Sequence, residues 1–189
     1  MGDEIRERIV RAAREMFGRY GYRKTSLAEI ADAARMGKSS LYHYFESKED
    51  LFEAVLKAEI NVADRRLNAA IGAETTPAAK LKAYVRTWLD LLKELSSTFE
   101  VLHNEGIDHL ACYHVGKERA REAELVRLTA IIGEGVEQRV FHVDNVAATA
   151  RAVQLGLHSL DDPWVIGDMD GFKEDIDRLI DLLLRGLQG

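Results

Sequence analysis

One cysteine and two prolines stand among 189 residues, and each scarcity removes a class of structure. A lone Cys112 cannot close an internal disulfide, so the chain is no disulfide-stapled scaffold. With so little proline and few β-branched runs, little is present to break helices or to build a sheet. No apolar run approaches the roughly 18 residues of a membrane span. The opening MGDEIRERIV holds neither the apolar segment of a signal peptide nor a myristoylation pattern, so a cytoplasmic chain without a lipid anchor is expected. A Gly-rich phosphate loop, a dinucleotide fingerprint, a nucleophile elbow and an HExxH pair are all missing, so neither an enzyme nor a cofactor is expected.

Positive charge is also short overall, since the net charge is −6, and this argues against a protein that coats nucleic acid. The distribution is uneven. Residues 1–48 hold ten Lys/Arg and seven Asp/Glu, a balance of +3, whereas the remainder holds 16 and 25, a balance of −9. A polyanionic partner would therefore meet the N-terminal segment.

What is abundant is helix-forming residue types within 47% hydrophobic content, and an all-α fold follows. Ile5, Ile9, Ala12, Ala13, Met16, Phe17 and Tyr20 recur at three- and four-residue steps and predict a first helix ending near Gly21. Ser26 with Glu29 is a capping box that opens a short second helix with the stripe Leu27, Ile30, Ala31 and Ala34. A turn through Met36 and Gly37 leads to a third helix over 38–45, with Leu41 and Phe45 inward. Ser47 with Asp50 then caps a helix from Lys48 to about Ala70, whose buried stripe is Leu51, Phe52, Val55, Leu56 and Val62. Further helices are expected from Pro77 to about Leu95, from Ser97 to about Tyr113, from about Lys117 to Gln138, from a cap at Asp144 to about Leu160, and from Met169 to Leu187.

Two helices joined by about four residues form the arrangement in which the second enters a DNA major groove. Lys38, Ser39, Ser40, Tyr42 and His43 are the residues of the third helix not needed for its core, and such groups suit phosphates and base edges. Tyr44 lies on the flank and is expected to pack. The helix starts at Thr25, Ser26 and Lys48 offer backbone N–H groups suited to phosphate oxygens.

The stretch TSLAEIADAARMGKSSLYHYFESKEDLFEAVL resembles the DNA-binding domain of the tetracycline-repressor-like (TetR/AcrR) family. The resemblance rests on Thr25-Ser26, Ile30-Ala31 with Ala34, Lys38 with Leu41, Tyr42 and Phe45, and Lys48-Glu49 with Leu51. It implies a helix-turn-helix domain over 3–63, with its motif at 26–45, and a helical effector-binding and dimerisation domain over 64–189. It further implies phosphate contacts from Thr25, Tyr42 and Lys48, and base-edge or phosphate contacts from Lys38, Ser39, Ser40 and His43. Two positions depart from the pattern: Arg35 where the family usually has Gly, and Gly37 where it usually has Ser or Thr. Arg35, at a position suited to positive φ, is expected to offset its strain by reaching a phosphate.

The function so implied is a homodimeric repressor that leaves its operator when a small, largely apolar effector binds. The alternatives are a helical adaptor that docks a protein partner and, behind it, an enzyme of unrecognised type. Dimerisation is expected through the last two helices, where Phe172, Ile176, Leu179, Ile180, Leu183, Leu184 and Leu187 form a broad apolar arc and Val146, Ala147, Ala150, Val153 and Gly156 permit close approach. For the effector, Tyr84, Trp88, Phe99, Leu102, Ile107, Leu110, Tyr113 and Val126 supply apolar lining, with His103 and Asn104 as sparse polar groups. Glu105, His109 and Cys112 share a helix face and form a weak candidate metal site, so no metal is assigned.

Overall fold

The computed structural model describes residues 2–104, 110–159 and 173–189, with side chains described over 2–94, 110–159 and 174–189. Among the described residues there are eight helices and no strand. The chain divides into two compact units, Met1–Val62 with Ser97–Arg119, and Ala63–Ser96 with Ala120–Gly189.

In the first unit, α1 (Gly2–Tyr20) buries Ile9, Ala12, Ala13 and Phe17 on one stripe, with Asp3 and Glu4 in the first turn and Arg19 in the last. Gly21, at φ 89°, closes it by donating its N–H to the Phe17 carbonyl at 2.9 Å. Tyr20, expected inward, lies beyond the last core contact and is exposed. Next come α2 (Leu27–Ala33), α3 (Lys38–Leu41) and α4 (Lys48–Gly72). Ser47 caps α4 by accepting from the Asp50 N–H at 3.0 Å, while the Asp50 carboxylate accepts from the Glu46 N–H at 3.0 Å. Leu51, Phe52, Val55 and Leu56 are buried as expected. Val62 is not; it lies at the end of the first unit's share of α4 and is exposed.

Phe17, Tyr22 and Phe52 meet at the heart of this unit with ring centres 4.9 to 5.5 Å apart. Each such pair contributes about 0.5–1.5 kcal/mol beyond its buried area. Leu110 and Cys112 are buried in the same core and Tyr113 packs against it. A single cut after residue 63 therefore does not describe the packing of residues 110–119.

The second unit is built around Leu81, Tyr84, Val85, Leu128, Ile131, Ile132, Phe141 and Ala150. Its helices, with the shares of α4, α5 and α6 named by the division above, are α5 (Pro77–Asn104), α6 (Ala111–Glu137), α7 (Val146–His158) and α8 (Lys173–Gln188). Thr76 caps α5 by accepting from the Ala79 N–H at 3.3 Å, with Pro77 in the first helical position. The break expected between Leu95 and Ser97 does not occur. No Gly or Pro interrupts that stretch, and ending a helix there would leave four carbonyls to satisfy, whereas continuation keeps them bonded. α6 likewise begins earlier than Lys117. The cap of α7 is Asn145, not Asp144; its side chain accepts from the Ala148 N–H at 2.9 Å. α8 is described from Lys173, so Met169 and Phe172 lie outside the described residues. Its Ile180 and Leu187 are buried, while Leu179 and Leu182 are exposed.

Two helix ends share an unusual closure. After α2, Arg35 adopts φ 54°, its N–H donates to Asp32, and the Met36 N–H reaches back to Ala31 at 2.9 Å. After α6, Arg139 adopts φ 56°, its N–H donates to Val136, and the Val140 N–H reaches back to Gly135 at 2.9 Å. Both satisfy the terminal carbonyls in the manner usually served by glycine. Gly135 itself has no room for a side chain, because a Cβ there would lie 2.0 Å from the buried Phe141 ring.

Candidate nucleic-acid interface

The Ser26 cap sets the start of α2. Its hydroxyl accepts from the Glu29 N–H at 3.3 Å, while the Glu29 carboxylate accepts from the Ser26 N–H at 2.8 Å and from its hydroxyl at 2.7 Å. The Ser26 hydroxyl, and then its backbone, hold the Glu29 carboxyl below the usual carboxylate range. Ile30, Ala31 and Ala34 turn inward. The chain then passes through the left-handed Arg35 into α3.

α3 is one turn of helix, shorter than the span 38–45 expected for it. Gly37 caps it without a side-chain bond. Past Leu41 the backbone tightens, the His43 N–H donating to Ser40 and the Tyr44 N–H to Leu41, so that Leu41 and Phe45 both reach the core. Their burial orients everything else. Lys38, Ser39, Ser40, Tyr42 and His43 are exposed on the opposite side, Tyr44 packs on the core, and the Lys38 ammonium lies 6.0 Å from the Tyr42 ring centre. Arg35 is exposed at the head of the same segment.

Three of the expected phosphate ligands are occupied within the protein. Thr25 is only 2% exposed, and its hydroxyl donates to the Gly21 carbonyl at 2.7 Å. A hydroxyl has one proton, so this one is not available to a phosphate. Ser26 is engaged in its capping box. Lys48 donates to the carbonyls of Tyr22 at 3.0 Å and Thr25 at 3.2 Å, with its ammonium 4.4 Å from the Tyr22 ring centre. It ties the α1–α2 connection to the start of α4, which leaves one N–H direction open. Arg19 and Lys24, not singled out by the sequence pattern, line a groove of about 420 Å³ together with Met16, Tyr20, Thr25 and Glu29.

Residues 9–55 match the family model described as bacterial regulatory proteins, tetR family. Over that segment the chain is similar to the TetR family. The transcriptional activator FasR of Mycolicibacterium smegmatis is 31% identical over 100 residues, covering 53% of this chain and 46% of FasR. The repressor KstR2 of the same species is 26% identical over 141 residues, covering 74% of this chain and 68% of KstR2. The match thus spans about half the length of FasR. A transcriptional regulator of Cytophaga hutchinsonii is 27% identical and superposes over 97% of this chain and 98% of its own with a TM-score of 0.79.

The effector candidates are divided between the two units. Tyr84 and Trp88 lie on α5 in the second unit, Leu110 and Tyr113 pack in the core of the first, and Val126 is 69% exposed. Val126 does not line the core containing Tyr84, because α6 turns Leu125 and Leu128 inward instead. Phe99, Leu102, His103, Asn104 and Ile107 lie outside the residues whose side chains are described. Of the weak metal set, Glu105 and His109 are likewise outside. Cys112 is buried, and burial first, then Glu49 and Glu53, push its thiol up, away from the thiolate a metal needs.

A polar cluster that the sequence pattern did not single out lies in the second unit. Glu124 on α6 is 5% exposed, and its Oε2 accepts from Gln154 Nε2 at 3.0 Å and pairs with His158 Nε2 at 2.8 Å. His158 meets the half-buried Trp88 edge-on at 5.9 Å. Burial, and then the Glu124 carboxylate, drive the Tyr84 phenol far above its ordinary value, with Arg127 opposing. The available signal was an acid on an apolar stripe: Glu124, Leu128 and Ile131 share one helix face.

Proposed function

We propose that this protein is a sequence-specific DNA-binding transcriptional regulator, a repressor released from its operator by a small molecule. The observation that carries the reading is the divided side-chain set of α3, with Leu41 and Phe45 in the core and Lys38, Ser39, Ser40, Tyr42 and His43 exposed. In this reading α3 enters the major groove. Ser39, Ser40 and His43 meet base edges, and Lys38, Tyr42 and Arg35 meet phosphates. Lys48, Thr25 and Ser26 act mainly by holding the frame, with Lys48 offering its remaining N–H to the backbone. The regulator works in the cytoplasm as a homodimer through α7 and α8, whose exposed Leu155, Leu179 and Leu182 support a partner surface. Two α3 segments would then read half-sites about 34 Å apart.

Release follows from differential affinity: a ligand that prefers the geometry unable to span both half-sites weakens operator binding, and operator weakens ligand binding by the same factor. The test is selection of genomic fragments on the full chain, followed by titration across salt concentrations. Selective retention whose logarithmic affinity falls linearly with log salt is expected. Retention without sequence preference, or none, would leave a protein-binding adaptor as the better reading.

A further inference from the structure

The far end of α1 carries a group that the core leaves out. Gly21 turns the chain at φ 89° directly after Tyr20, and it is Tyr22 that packs on the core, its ring centre 5.5 Å from that of Phe17 and 4.9 Å from that of Phe52. Tyr20 is thereby exposed, with the Arg19 guanidinium 5.2 Å from its ring centre. That distance is within the reach of a cation–π contact. A ring has no lone pair to accept a proton in its plane, so the N–H donors of Arg19 stay available.

Arg19 and Tyr20 line the groove of about 420 Å³ together with Met16, Lys24, Thr25 and Glu29. Arg19 and Lys24 are exposed, and among the described residues neither is paired with a carboxylate. The Glu29 carboxylate is turned to Ser26, its Oε2 accepting from the N–H at 2.8 Å and from the hydroxyl at 2.7 Å. The Thr25 hydroxyl is committed to the Gly21 carbonyl. What the groove offers a partner is therefore two cations beside a phenol, and donors so placed suit phosphate oxygens. The groove also adjoins Lys48, whose ammonium donates to the carbonyl of Thr25 at 3.2 Å.

We infer that Arg19 and Lys24 hold the sugar-phosphate backbone of the operator outside the base pairs read by α3, with Tyr20 as a positioning residue that keeps the Arg19 guanidinium at the groove. The inference rests on the DNA-binding reading above and extends its contact set to the end of α1. Each phosphate neutralised releases counterions and adds affinity without regard to sequence. α3 then decides which operator is chosen, and the groove adds to how tightly it is held. The bound duplex is longer than the base pairs that select it.

The probe is a genomic fragment selected by the full chain and made as two duplexes. One ends at the outermost base pairs that selection requires, and the other extends about five base pairs further at each end, half a helical turn. Wild type is expected to bind the extended duplex about tenfold more tightly, whatever the sequence of the extension. Arg19→Ala combined with Lys24→Ala should abolish that difference and reduce the magnitude of the salt slope on the extended duplex by about two. Its unfolding temperature should stay that of wild type, since both side chains are exposed. Ethylation of phosphates in the extension should impair binding by wild type and not by the double variant. Tyr20→Ala should lose part of the difference, and Tyr20→Phe, which keeps the ring, should retain it. Equal binding of the two duplexes by wild type, a double variant that still prefers the longer one, or the same ethylation pattern for both proteins would each overturn the inference. Tyr20→Phe binding no better than Tyr20→Ala would overturn the positioning role. A wild type that selects fragments but ignores the extension defeats only this inference, whereas one that retains no fragment defeats the regulatory reading with it.

Discussion

The two units place their polar side chains differently. In the first, Thr25, Ser26 and Lys48 are at positions where the family pattern implies DNA contacts, yet each bonds to the protein's own backbone or to a neighbour. The residues left for a partner are exposed ones. In the second, the nearly buried Glu124 is engaged by Gln154 and His158 inside the unit. A surface that meets a charged, hydrated polymer needs a rigid frame, and solvent satisfies its contact groups until the partner arrives. A buried polar group has no such solvent, so its partners must come from the protein itself.

That contrast breaks first at Lys48. Lys48→Ala removes two charge-assisted bonds to carbonyls and the contact with Tyr22, and should lower the unfolding free energy by about 2–3 kcal/mol. Urea titration measures it. A variant of unchanged stability with weakened DNA binding would make Lys48 a phosphate ligand and remove the distinction between frame and contact.

A smaller effect sharpens the other half of the first unit. Lys38→Ala should leave unfolding within about 0.5 kcal/mol of wild type, since the side chain is exposed. It should weaken binding to every DNA sequence by roughly tenfold and reduce the magnitude of the salt slope by about one. Ser39→Ala and Ser40→Ala should instead change which operator is preferred, visible in repeated fragment selection. Uniform weakening by the serine variants would exchange these roles.

The smallest effect compares the paired helix ends. Arg35→Gly and Arg139→Gly each relieve a left-handed non-glycine residue and should stabilise by up to about 1 kcal/mol. Only Arg35→Gly should weaken DNA binding. Equal DNA affinity in the two variants would show that Arg35 is a helix terminator and nothing more, as Arg139 is.

Local features were legible in the order of the amino acids. The Ser26–Glu29 box, the Ser47–Asp50 cap and the Thr76–Pro77 start all act within three or four residues, so their partners can be read from spacing. The apolar stripes of α1, α2 and α4 were readable for the same reason. The errors arose where two local signals competed. Asp144 and Asn145 are equally good caps, and Ser97 with Glu100 spells a helix start inside a stretch with nothing to end the preceding helix.

An all-helical chain, a basic helix-turn-helix segment near its start and the resemblance of that segment to the TetR family all follow from the amino-acid order, because they depend on periodicity, capping and fixed short spacings. Tertiary packing decided which polar groups are free. Lys48 meets carbonyls 23 and 26 residues away, and Glu124 meets side chains 30 and 34 residues away. Whether a donor or acceptor is satisfied depends on atoms brought together by folding, and no spacing along the chain records it.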